Sequence, residues 1–134
     1  MTVRPKVLII DDDADYRASV RAILETRDYD VVEAESGPEG LSKLAQEKPG
    51  LIILDIMMQC SCEGYGVTWA IKNKEEFRDF RNVPILMSSS IEESPDDRFS
   101  MCPEADMIRP DYYLTKPLDI PRFLKTVESA VQAG

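Results

Sequence analysis

Four groups of polar residues in this chain stand where an apolar run stops. Asp11-Asp12-Asp13 follows Val7-Leu8-Ile9-Ile10, and Asp55 follows Leu51-Ile52-Ile53-Leu54. Ser88-Ser89-Ser90 follows Val83 to Met87, and Lys116 follows Tyr112-Tyr113-Leu114-Thr115. Burying an unpaired charge is costly, so a carboxylate belongs at the mouth of a buried strand rather than inside it. Brought together, Asp11, Asp12 and Asp55 would repel one another, and a hard divalent cation would relieve the repulsion. Mg²⁺ takes oxygen ligands and keeps waters and phosphate oxygens among them. A serine hydroxyl (Ser89) and a lysine ammonium (Lys116) on the rim would bind the other oxygens of a phosphoryl group. Phosphoryl transfer needs positioning and charge neutralisation more than covalent help. A carboxylate can itself be the nucleophile, forming an acyl phosphate. The five residues fit Asp55 as the acceptor of a phosphoryl group.

The elements that must position these residues can be read from spacing. Runs such as Leu51–Leu54, which ends in Asp55, and Val7–Ile10, apolar at every position, indicate strands buried on both faces of a parallel sheet. Asp13 is placed to cap a helix from Ala14 to about Arg27, with Tyr16, Val20, Ile23 and Leu24 inward. Tyr29 to Ala34 reads as a short strand. Ser36-Gly37-Pro38-Glu39 has the spacing of a capping box, with Pro in the first turn. It opens a helix to about Glu47 with Leu41, Leu44 and Ala45 inward. Met57 to Gly64 is a loop, and Gly66 to about Phe77 a helix with Val67, Trp69, Ala70 and Ile71 on or near its apolar stripe. Val83 to Met87 is a fourth strand and Tyr112 to Leu114 a fifth. Asp119 caps a last helix through Val131, with Phe123, Leu124, Val127 and Val131 on one face. Strand and helix alternate five times, which predicts an α/β fold: a parallel sheet with right-handed crossovers and helices on both faces. In such sheets ligands bind beyond the carboxyl ends of the strands.

Composition narrows the function. The 134 residues suffice for one domain, 1–134, with a proper core. The net charge of −9 and the lack of any basic run argue against direct nucleic-acid binding. No run approaches the ~20 apolar residues that span a bilayer, so no membrane partner is expected. The N-terminal stretch leads directly into a strand with no signal-peptide pattern, which predicts a cytoplasmic protein. Three cysteines, Cys60, Cys62 and Cys102, fit reduced thiols there. They lack the spacing and the fourth ligand of a zinc site, and the chain has no histidine to supply one.

In order and at close to the expected spacings, Ile10-Asp11-Asp12, Leu54-Asp55, Pro84-Ile85-Leu86-Met87-Ser88-Ser89 and Tyr113-Leu114-Thr115-Lys116-Pro117 resemble the receiver domain of two-component response regulators, the CheY-like family. The resemblance covers nearly the whole chain. It implies a (βα)5 doubly wound fold with sheet order 2-1-3-4-5, and phosphorylation of Asp55 by a sensor histidine kinase or a phosphotransfer protein. It implies Mg²⁺ held by Asp11, Asp12, Asp55 and the backbone carbonyl of Met57. Ser89 would turn toward the phosphoryl group, Lys116 would pair with its oxygens through a cis Lys116-Pro117 bond, and Tyr113 would move inward on activation. Such a domain is a phosphoacceptor switch that catalyses only its own phosphorylation and dephosphorylation. Its output goes to an attached domain or a downstream protein. A stand-alone regulator and a receiver from a longer protein fit equally, and a homodimer fits as well.

Three features depart from the family. The proline usually found shortly after the acceptor is missing, and the loop from Ile56 to Gly64 is longer. The segment from Ile91 to Asp111 is also longer, with Arg109-Pro110-Asp111 in place of the usual small residues. Met57 and Ile91, the positions two beyond the acceptor and two beyond Ser89, are apolar and cannot orient water; a slowly hydrolysing phospho-Asp55 is expected.

Several residues also have plain structural roles. Asp13 reads as a helix cap rather than a metal ligand, Ser88 and Ser90 as turn residues, and Tyr113 equally as strand packing. Two other functions fit part of the pattern. One is a receiver-like binding module that works without phosphorylation. The other is a haloacid-dehalogenase-like phosphatase with Asp11 as nucleophile and Asp13 as general acid, which leaves Asp55 without a role.

Overall fold

The computed structural model describes residues 5–55, 67, 69–71, 73–89, 112–115 and 119–133, without the side chains of 89, 113, 115 and 133. Five parallel strands, β1 (Lys6–Ile10), β2 (Asp30–Ala34), β3 (Leu51–Asp55), β4 (Ile85–Ser89) and β5 (Tyr112–Thr115), form one sheet in the order β2-β1-β3-β4-β5. Three helices are assigned end to end: α1 (Ala14–Glu25), α2 (Gly37–Glu47) and α3 (Ile120–Ala133). Residues 67, 69–71 and 73 are helical too, and a 3-10 turn, Glu75–Phe80, follows them. No helix among the described residues is long and apolar enough to cross a membrane.

The central strands carry unbroken apolar runs, Val7–Ile10, Leu51–Leu54 and Ile85–Met87, because both faces of the sheet are covered. On one face Leu8, Ile10, Ile52, Leu54, Ile85 and Met87 pack with Leu44 of α2 and the helical Val67 and Ile71. On the other, Val7, Ile9, Leu51, Ile53, Leu86 and Leu114 pack with Val20 and Leu24 of α1 and Phe123, Val127 and Ala130 of α3. Alternation along each strand sorts the side chains between these two layers. α2 comes so close to β1 that a methyl group on Gly40 would sit 2.7 Å from Ile10 Cγ1.

Both expected helix caps that open α1 and α2 are present. Asp13 Oδ1 accepts from the N–H of Asp15 and Tyr16, at 3.0 and 3.2 Å. Ser36 Oγ accepts from Glu39 N at 3.2 Å. Glu39 reaches back one residue further than a capping box requires, to Glu35 N at 3.3 Å. Asp119 supports the start of α3 through a bond from Arg122 N at 3.3 Å.

The structure moves several boundaries. α1 stops at Glu25, not Arg27, because Arg27 N and Asp28 N turn back to Leu24 O and Glu25 O and Asp28 takes a left-handed φ of 65°. Ala45 is exposed: the buried stripe of α2 runs Gly37, Gly40, Leu44, which puts Ala45 on the outer side. The helix expected to reach Phe77 gives way after Asn73 to the 3-10 turn, where Phe77 has φ −110° and ψ 15°. β4 begins at Ile85 rather than Val83. The Val83 N–H is spent on Phe80 O and Pro84 has none, so pairing with β3 opens at the Pro84 carbonyl, which accepts from Ile52 N at 3.0 Å, and the strand runs from Ile85. β4 consequently runs on through Ser88 and Ser89, which are strand residues and not the turn expected for Ser88. α3 continues past Val131 to Ala133.

Candidate functional site: a polar row at the strand ends

The register of the three central strands aligns their last residues. Ile10 pairs with Leu54 and Leu54 with Met87, a fully apolar row. One residue further on, Asp55 pairs with Ser88, and Asp11 comes next after Ile10 on the β1 side. Asp11, Asp55 and Ser88 are the three buried polar residues among those described, at 1%, 5% and 1% exposure. They continue the positions of Ile9, Ile53 and Leu86, so alternation sets all three on the α1/α3 face of the sheet. Asp12 stands beside them, exposed.

Asp11 is fixed from three directions. Its N–H donates to Ala34 O at 3.0 Å, its carbonyl accepts from Arg17 Nη1 at 2.5 Å, and its Oδ1 accepts from Asp13 N at 2.9 Å. Arg17 is itself held: its Nε donates to Glu33 Oε1 at 3.0 Å, while Arg21 Nη1 donates to Glu33 Oε2 at 2.8 Å. Lys43 Nζ donates to the Glu33 carbonyl and pairs with Glu39 Oε1 at 3.1 Å. The Arg21 and Arg17 guanidiniums hold the Glu33 carboxyl below its ordinary value against the opposing effect of burial, and the Glu33 bond raises Arg21 in turn. The Lys43 bond and the Glu35 N–H hold Glu39 low as well. A charged network on α1, β2 and α2 thus braces the backbone that presents Asp11 and Asp12.

One carboxylate oxygen from each of Asp11, Asp12 and Asp55 lies within 4.8 Å of the others. Three hard oxygen donors, two buried and one open to water, suit a small divalent cation that retains part of its hydration shell. Asp13 does not join them; its carboxylate is engaged at the N-terminus of α1.

On the far side of Asp55 the surroundings change. Ser88 Oγ is buried and has no hydrogen-bond partner. Such a hydroxyl costs about 1–3 kcal/mol. Ser89 lies at the end of β4 paired with Thr115, and Tyr113 pairs with Met87. The side chains of Ser89 and Tyr113, and all of Met57, Ile91, Lys116, Pro117, Ser90 and the three cysteines, lie outside the described residues. Neither Ser88 nor Arg17 stood out in the sequence. Ser88 could have been found from strand parity, being two residues beyond the core residue Leu86. Arg17 could have been found as a cation one turn after the Asp13 cap, on the helix that follows the acidic run.

Comparison with known proteins agrees with this architecture. A family model described as response regulator receiver domain matches residues 7–128. The protein PilG of Pseudomonas aeruginosa is 32% identical over 126 residues, covering 94% of this chain and 87% of that protein. A probable transcriptional regulator, ycf27, of Porphyridium aerugineum is 40% identical over 97 residues, covering 69% of this chain. The match spans about a third of the length of that regulator, 36%. Among solved structures, the chemotaxis protein CheY4 of Vibrio cholerae superposes with a TM-score of 0.78 at 27% identity, covering 96% of this chain and 99% of that one. The strand order, the acidic cluster at the strand ends and a family match over nearly the whole length lead to one statement: this chain belongs to the response regulator receiver domain family of two-component systems, CheY-like signalling domains rather than enzymes in the ordinary sense.

Proposed function

We propose that the chain accepts a phosphoryl group on Asp55 from the phosphohistidine of a sensor kinase or phosphotransfer protein, with Mg²⁺. The observation that carries this reading is the meeting of Asp11, Asp12 and Asp55 oxygens within 4.8 Å at the carboxyl ends of β1 and β3. A bound Mg²⁺ would neutralise charge on the transferring group and on the carboxylates. Asp11, Asp12 and Asp55 would hold it with the Met57 carbonyl. An Asp55 carboxylate oxygen attacks phosphorus, the P–N bond to the donor imidazole breaks, and that nitrogen keeps the electron pair. Burial of Asp55 aligns it and removes competing water. Lys116 pairs with the phosphoryl oxygens, Ser89 turns toward them, and Tyr113 follows inward, biasing a two-state surface near β5 and α3. Residues 1–134 act as one receiver unit in the cytoplasm, where the kinase is met, and signal to an attached output domain, a downstream protein or a second copy. Apolar Met57 and Ile91 make the acyl phosphate long-lived; Met57→Asn shortens its half-life, measured by loss of the adduct with time.

The test is intact mass after incubation with Mg²⁺ and acetyl phosphate or phosphoramidate. One phosphoryl adduct is expected, dependent on Mg²⁺ and absent in Asp55→Ala. No adduct with any donor would favour a binding module that needs no phosphorylation. Catalytic turnover of a phosphomonoester would favour the phosphatase, a reading that the engagement of Asp13 as a helix cap speaks against.

A further inference from the structure

We infer that the Ser88 hydroxyl, in addition to any group contributed by Ser89, is a hydrogen-bond donor to the phosphoryl-bearing Asp55. The inference rests on the reading of Asp55 as acceptor and adds a residue to that site. Three observations meet at this position. The register sets Ser88 directly beside Asp55 on the neighbouring strand. Strand parity turns both toward the same face, with Asp11 completing the row. Ser88 Oγ is buried at 1% exposure and has no partner.

The rest of the row is polar for a reason: Asp11 is tied by three bonds and belongs to the acidic cluster. Within the row, Ser88 carries the buried polar atom that has no hydrogen-bond partner. The other buried residues of β4 among the described side chains, Ile85, Leu86 and Met87, are apolar. A hydroxyl placed there without a partner in the unmodified protein gains one when the adjacent carboxylate acquires a tetrahedral group with three further oxygens. A hydroxyl can donate to such an oxygen without changing its own charge. The bond forms only in the modified state, so it favours that state over the unmodified one.

The test uses beryllium trifluoride with Mg²⁺ as a non-hydrolysing mimic of the phosphoryl group, on the full chain. Wild type, Ser88→Ala and Asp55→Asn are compared by fluorine NMR titration and by melting temperature. Ser88→Ala is expected to melt at the same temperature as wild type or higher without the mimic, since it removes an unpartnered hydroxyl. Its affinity for the mimic is expected to fall about three- to tenfold, the effect of one hydrogen bond, with one bound fluorine resonance displaced. An unchanged affinity and unchanged fluorine resonances would overturn the inference and leave Ser88 as packing alone. Wild type that binds no mimic would overturn the acceptor reading itself, and this inference with it. Asp55→Asn, expected to bind none, separates the two failures.

Discussion

The two flanks of Asp55 are built differently. Toward β1 the neighbouring residue, Asp11, is held by three hydrogen bonds, two on its backbone and one on its carboxylate, and backed by a network of Arg17, Arg21, Glu33, Lys43 and Glu39. Toward β4 the neighbour is a serine in an apolar strand, held by packing, with its hydroxyl unspent. A cation site must hold its ligands in place before the ion arrives, because mutual repulsion among the acids would otherwise spread them. A flank that answers to modification needs bonding capacity left over. In the proposed reading, rigidity lies on the β1 side, where a cation would be held, and response on the β4 side.

Breaking the rigid flank should have the larger effects. The largest is expected from Gly40→Ala, which presses a methyl group against the fully buried Ile10, the residue immediately before Asp11. Overpacking of this kind costs about 1–3 kcal/mol, seen as a lower midpoint in urea unfolding. Arg17→Met follows. It keeps the aliphatic stem but removes the donors to the Asp11 carbonyl and to Glu33, with an expected loss of about 1–2 kcal/mol. Mg²⁺ affinity should drop with it, measured by calorimetric titration. An Arg17→Met variant that loses stability yet binds Mg²⁺ as wild type does would detach the network from the cation site.

A smaller effect comes from pH. The folded Glu33 carboxyl titrates below its ordinary value of 4.5, mainly because of the bond from Arg21. The unfolded chain therefore binds the proton first as pH falls. Stability from this group is present in full above about 4.5 and is lost as pH drops through the lower folded value. Glu33→Gln should flatten the stability profile below about pH 5, by no more than about 1 kcal/mol given the partial exposure of its partners. Raised salt should flatten the wild-type profile in the same direction. The smallest effect is expected away from both flanks. Lys48, after α2, sits in the left-handed region at φ 49° and ψ 60°, and Lys48→Gly should raise stability by about 0.5–1 kcal/mol.

How far the sequence could be read follows from what each signal depends on. Val7–Ile10 and Leu51–Leu54 are apolar at every position, and such runs leave little choice but a covered strand, so β1 to within one residue, β3, and the meeting of Asp11, Asp12 and Asp55 were legible. The caps at Asp13 and Ser36 were legible because their chemistry is local. β4 was shifted by two residues because its start depends on where the Val83 N–H goes, a matter of the preceding turn and not of hydropathy. Ser88 was hidden for the same reason: three serines in a row look like a turn until a neighbouring strand fixes their parity. Ala45 was misplaced because apolar spacing alone does not count glycines, and Gly37 and Gly40 supply the buried stripe of α2. Arg17 was invisible because its partners, a backbone carbonyl and Glu33, are remote or unmarked in the chain.

The polar row also bears on how the chain finds its pairing. Where strands alternate apolar and polar, a slip of one residue is punished at every position. β3 has no such guard, since Leu51 to Leu54 are all buried and apolar and would be accommodated almost equally one step along. What distinguishes the native alignment is its end: Asp55 opposite Ser88, with Leu54 between Ile10 and Met87. Sliding β3 by one residue would set the carboxylate among those side chains, with no polar neighbour to receive it, a change far costlier than any mismatch of methyl groups. The acidic end of the strand therefore serves as the index mark by which an otherwise featureless ribbon is aligned, and replacing it with an apolar residue would loosen the choice of register along with the chemistry.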